Sequence, residues 1–106
     1  MGDLGHWSII TKNNRIDVAN ALIEIAMHDA DFCGDNGYEY LWDEAKGFEC
    51  NSEYALSIAE NEPTIVDTIK KFVAIWMDGD GYYVDYDLAI SELNDTIAIS
   101  IAYITD

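Results

Sequence analysis

The sequence predicts an α+β fold: an antiparallel sheet of about four to five strands with two main helices packed on one face. Two helical stretches and two alternating stretches predict it. Apolar residues recur at helical period over residues 15–29 and, more strictly, over 64–77. Residues 82–91 and 97–103 instead alternate apolar and polar side chains, the pattern of antiparallel strands with one wet face. The chain has 106 residues, half of them apolar. That length suits one domain, residues 1–106, with enough apolar material for a core.

The elements follow in order. Trp7 to Thr11 reads as a short strand, and the segment before it, with His6, as a loose terminus. Asn14 is placed to cap a helix, with Asp17 at its third position. From Arg15 to about Asp29 the apolar side is Ile16, Ala19, Leu22, Ile23, Ala26 and Met27, widened by Val18 and Ile25. Asp17, Asn20, Glu24 and His28 take the other side. Asp31 to Gly37 is a turn or loop by its Gly and Asn content. Tyr38, Tyr40 and Trp42, then Phe48 and Cys50, alternate with polar or smaller positions around Gly47, which suggests a hairpin. Ser52 to Glu60 fits a strand through Tyr54, Leu56 and Ile58, and fits a helix equally well. Thr64 and Asp67 repeat the cap seen at Asn14 and Asp17, with Pro63 just ahead, where it costs no helical hydrogen bond. Ile65, Val66, Ile69, Phe72, Val73, Trp76 and Met77 then trace one helical face to Asp78-Gly79. Tyr82, Val84, Tyr86, Leu88 and Ile90 are expected to face the core. Tyr83, Asp85, Asp87, Ala89 and Ser91 are expected to face water. Ser91 to Asp95 turns the chain into a last strand through Ile97, Ile99, Ile101 and Tyr103.

Charge is the outstanding feature. Twenty-one Asp and Glu face five Lys and Arg, a formal net charge of -16. Charge on this scale governs partners more than fold. Nucleic acid and anionic membranes call for clustered cations, and Lys12, Arg15, Lys46, Lys70 and Lys71 are few and scattered. Direct nucleic-acid binding and membrane binding are therefore disfavoured, and a basic protein surface is the expected partner. The first ten residues, MGDLGHWSII, lack a basic segment and a long apolar run, so no signal peptide is expected. The expected compartment is the cytoplasm, where Cys33 and Cys50 stay reduced.

The stretch MDGDGYYVDYD, Met77 to Asp87, concentrates the acidity. Counted from Asp78 as a calcium loop it fails at Tyr82, Tyr83 and Ala89, where an acid or amide, a glycine and a glutamate belong. His6, His28, Cys33 and Cys50 could ligate zinc in type, but none of the usual paired spacings is present. No nucleophile elbow or phosphate loop occurs, and Cys33 lies among acids that blunt a thiol. Neither metal, cofactor nor enzymatic chemistry is expected.

An interaction surface remains. Its candidate residues are Asp78, Asp80, Asp85 and Asp87, continued by Glu92 and Asp95, with Tyr83 as an exposed aromatic anchor. Ten acids between Asp29 and Glu62, opposed by Lys46 alone, form a second block. In composition only, the chain resembles the small acidic DNA mimics that phages and mobile elements use against restriction and CRISPR nucleases. That resemblance implies a non-enzymatic inhibitor that fills a basic groove. An immunity protein or antitoxin against a basic toxin shares the same physics. A small metal-binding or regulatory domain, and an acidity adapted to salt, stay open beside it.

Self-repulsion among so many carboxylates is relieved by salt, whose Debye length is about 10 Å at 0.1 M. The melting temperature is therefore expected to rise from low salt to several hundred millimolar NaCl, with calcium no better than magnesium at equal ionic strength. Calorimetric scans check this. A flat curve means the acids are compensated locally, and a calcium-specific gain points to a metal site.

Overall fold

The last alternating segment of the chain supplies the middle of the sheet. Ile97, Ile99 and Ile101 are all buried, while inward residues of the flanking strands such as Ile9 and Leu88 are half-buried. A computed structural model describes residues 2–28, 51–80 and 83–105. In chain order these form β1 (Leu4–Lys12), α1 (Arg15–Ala26), α2 (Asn51–Ala59), α3 (Ile65–Asp80), β2 (Tyr83–Leu93) and β3 (Thr96–Thr105). The strand order is β1-β3-β2, and β3 is antiparallel to both neighbours. The class is α+β, as expected.

The element count differs from the expectation of four to five strands and two main helices. The described residues hold three strands and three helices. The expected hairpin around Gly47 lies outside them, apart from Asn51, which opens α2. The ambiguous segment is helical because Ser52, Ala55, Leu56 and Ala59 are buried together, at a spacing of three and four residues. A strand would have buried Tyr54, which is 64% exposed.

Both helix caps form as the sequence dictates. The Asn14 side chain accepts from the Asp17 N–H at 2.9 Å, and the Thr64 hydroxyl accepts from the Asp67 N–H at 3.0 Å. Each satisfies an N–H that the helix itself leaves free. Helix α1 turns a different side inward than expected. Val18, Leu22, Ile25 and Ala26 are buried, while Ile16 is 75% exposed. Its apolar residues spread around much of the helix, so packing against β1, α2 and α3 selects the buried stripe. Helix α3 follows its pattern: Ile69, Phe72, Val73, Trp76 and Met77 are all fully buried. It lies over β2, and α2 packs on α1 and α3.

Arg15 clamps this helical layer. Its guanidinium donates to the Thr68 hydroxyl at 3.1 Å, the Glu62 carbonyl at 3.1 Å and the Pro63 carbonyl at 3.0 Å. At the far end of the sheet, Asn13 ties the β1–α1 junction to the hairpin. Its backbone N–H donates to the Asp95 carbonyl at 2.8 Å and its amide to Glu92 Oε1 at 3.0 Å. The hairpin turn itself is Asn94 and Asp95, with Leu93 paired to Thr96. Strand β2 thus runs two residues beyond the expected turn at Ser91. Asn94 has φ 53, a left-handed conformation that Asn tolerates.

Two expectations about strand faces change. His6 is part of β1, opposite Ala102, and its Nε2 lies 2.6 Å from the Ser100 hydroxyl. It does not belong to a loose terminus. In β2 the register slips between Tyr83 and Asp85: Tyr83 pairs with Thr105, Asp85 with Ile104, and Val84 bulges out. Val84 is therefore 66% exposed instead of core. Past the bulge the expected phase holds, with Tyr86, Leu88 and Ile90 on the helix side and Asp85 and Asp87 on the other.

Gly5 is required by close approach. Gly5 pairs with Tyr103 on the helix side, and the Tyr103 ring lies where a Cβ on Gly5 would stand. Overpacking a fitted site costs about 1–3 kcal/mol. Gly5→Ala is expected to lose stability on that scale, and to lose much less when Tyr103 is already Ala. A double-mutant cycle by urea unfolding measures the difference.

Candidate functional site

The carboxylates singled out by the sequence do not form one row. Asp78 lies on α3, in the helical layer, and its charge acts on Tyr86 of the helix-facing side. Asp80 closes the same helix. Asp85 and Asp87 project from the opposite face of the sheet. Glu92 pairs with Ile97 in the helix-facing phase and lines a cleft with Val66, Lys70, Leu88 and Ile90. Asp95 sits in the hairpin turn. From Asp85 to Glu92 the strand runs about 23 Å. The structure therefore pairs Asp85 with Asp87, places Asp78 and Asp80 on one helix, and gathers Glu92 and Asp95 at the far end.

Tyr83 is not the exposed anchor expected. The bulge turns it onto the helix side, where it is half-buried. Its ring meets Trp76 edge-on at 6.0 Å and Tyr103 edge-on at 5.0 Å.

The outer face of the sheet carries no described helix and has a character of its own. Down its middle run Ala98, Ser100 and Ala102 of β3, flanked by Ser8 on β1 and by Ala89 and Ser91 on β2, with His6 of β1 beside Ala102 and its ring reaching across to the Ser100 hydroxyl. Larger apolar groups stand around this lane of small side chains: Leu4 at 83% exposure, Ile10 at 75%, with Leu93 and Ile104. Among the described residues its charged side chains are Lys12, Asp85 and Asp87. At the Asp85 end, Leu4, Ala102, Ile104 and the two aspartates line a shallow groove of about 320 Å³. The sequence already held the small residues of this lane, at alternate positions of the last strand, but only the register shows what they stand beside.

The chain's single arginine is hydrogen-bonded to uncharged groups. The hydrogen bonds of Arg15 go to two carbonyls and a hydroxyl. Among the described residues no group of three or more His, Cys, Asp or Glu comes together to hold a metal ion. No described helix is long and apolar enough to cross a membrane. Cys33 and Cys50, and the acidic run from Asp29 to Glu49, lie outside the described residues. No known family, curated protein or solved structure matches this chain.

The titration of Tyr86 is clearly shifted. Burial, and then the negative charge of Asp78, push its phenol above the ordinary 10.0. A raised value in the folded state means that the neutral phenol is preferred there. Its contribution to stability is complete below the ordinary value and is lost as pH rises through the raised one. Asp78→Asn is expected to lower the Tyr86 titration while burial keeps part of the shift. The tyrosinate absorbance of wild type minus that of Tyr86→Phe follows it. An unchanged titration would mean that Asp78 stands too far away to act.

Proposed function

We propose that this chain is a non-enzymatic acidic binding protein that occupies the basic, nucleic-acid-binding groove of a partner protein. It would act as a stand-in for phosphates and block the groove, as an inhibitor of a restriction or CRISPR nuclease would. The observation that carries the reading is the net charge of -16. Glu24 and Asp78 on the helices, Glu60 just past the end of α2, and Glu92 and Asp95 at the hairpin end are all exposed. Lys70 and Lys71 are the cations of α3, and Arg15 is committed to carbonyl groups.

Mechanistically, the partner's Lys and Arg would trade phosphate contacts for carboxylate contacts. Long-range attraction speeds such an encounter, and its effect falls with salt. Individual exposed charge pairs contribute only about 0–1 kcal/mol, so affinity would come from many of them together. The acids of the helical layer and the hairpin end are the best placed for this, because they lie away from the outer sheet face.

The test is a competition assay on partners captured from nuclease-treated lysate. DNA or RNA is expected to displace the protein. Changing Asp78, Asp80, Glu92 and Asp95 to their amides is expected to slow association severalfold with the fold intact by circular dichroism. Asp85→Asn with Asp87→Asn serves as the comparison, since these two project from the other face. Binding unaffected both by saturating nucleic acid and by the fourfold change would rule the mimic out.

A further inference from the structure

We infer that the outer face of the sheet is a dimerisation surface, and that its occupant is a second copy of this chain packed face to face. This goes beyond the reading above and does not depend on what the partner protein is.

The argument starts from charge. On a chain of net charge -16, the outer face holds two aspartates and one lysine. The acids of the helical layer, Glu24 and Asp78 among them, lie on the other side. Two sheets stacked at about 10 Å leave both helical layers outermost, separated by several Debye lengths at 0.1 M salt. Face-to-face packing is thus the arrangement that brings the least like charge together.

The register then supplies complementarity. Lys12 is opposite Thr96 at one end of edge strand β1, and Asp85 is opposite Ile104 at the other end of edge strand β2. They occupy diagonal corners. Consider a two-fold axis between the sheets, passing over Ser100 and the His6 ring bonded to it, and running across the strands with a tilt of about 20°. It carries Lys12 of one copy onto the Asp85 and Asp87 corner of the other. The same operation lays Ile10 over Ala102 and Ile104. The groove offers what those two side chains need: an apolar floor for Ile10 and two carboxylates for Lys12. The strands of the two sheets then cross at about 40°, close to the roughly 30° of aligned sandwiches. With the right-handed crossover usual between parallel strands such as β1 and β2, the sense of crossing is also that of sandwiches.

Size sets the strength. Three strands of this length offer a flat footprint of about 400 Å², against about 800 Å² per partner in a standard interface. The dimer is therefore weak and reversible.

Sedimentation equilibrium over a concentration series tests it. The wild type is expected to pass from monomer to dimer. Lys12→Glu sets like charges together twice per dimer and is expected to weaken association about tenfold or more. Lys12→Glu combined with Asp85→Lys leaves the net charge unchanged and is expected to recover most of that loss, with circular dichroism confirming the fold of each variant. A wild type that stays monomeric throughout overturns the inference. So does a dimer indifferent to Lys12→Glu, or a folded charge-swap variant that fails to recover.

Discussion

Trp76 is the group on which the two layers close. It is fully buried on α3, with Phe72 one turn earlier at 6.3 Å. From the sheet, Trp7 of β1 reaches it at 5.9 Å and Tyr83 of β2 at 6.0 Å. Tyr103 of the central strand fills the space between, 6.1 Å from Trp7 and 5.0 Å from Tyr83. All three strands thus deliver a ring to one helix. Aromatic pairs of this kind contribute about 0.5–1.5 kcal/mol each beyond the area they bury. The indole N–H of Trp7 is buried with no hydrogen-bond partner among the described residues. Leaving such a group unpaired costs about 1–3 kcal/mol, which the ring contacts must offset. The bulge at Val84 and the bare backbone of Gly5 both serve this cluster. One turns Tyr83 inward, and the other makes room for Tyr103.

How legible the fold was depended on whether local pattern and packing agreed. Helix α3 could be read because seven apolar residues repeat on one face and Thr64 marks its start. The phase of β2 from Asp85 onward and the buried isoleucines of β3 could be read because a slip of one residue would have buried aspartate. Where local pattern allowed two answers, contacts distant in sequence chose. Residues 52–59 satisfied both periods, and α1 and α3 offered a surface for the helix. Helix α1 has an apolar side wider than the stripe it buries, so its own sequence could not say that Ile16 would stay outside. The slip at Val84 carries no glycine or proline to announce it.

The candidate site was legible in sign and not in arrangement. Net charge needs no coordinates, and neither does the scarcity of cations. Whether Asp78 and Asp85 share a surface depends on how a helix end meets a strand start, and they fall on opposite sides. The small residues of β3 drew no notice in the sequence because alanine and serine suit any solvent face. Their meaning comes from the larger apolar neighbours that the register sets around them.

The placement of β3 bears on how the molecule is made. Asp3 and Thr105, 102 positions apart, bond to one another across the sheet. During synthesis β1 and the helices emerge long before the strand that joins β1 to β2. Closing so wide a loop is entropically costly, and the cost grows only slowly with further length. Folding dominated by such distant pairings is slow compared with that of helical bundles of similar size. On the ribosome the nascent chain would carry an unpaired apolar strand until β3 is translated. Its surplus of negative charge then has a second benefit, because mutual repulsion keeps neighbouring unfinished chains from pairing their exposed edges.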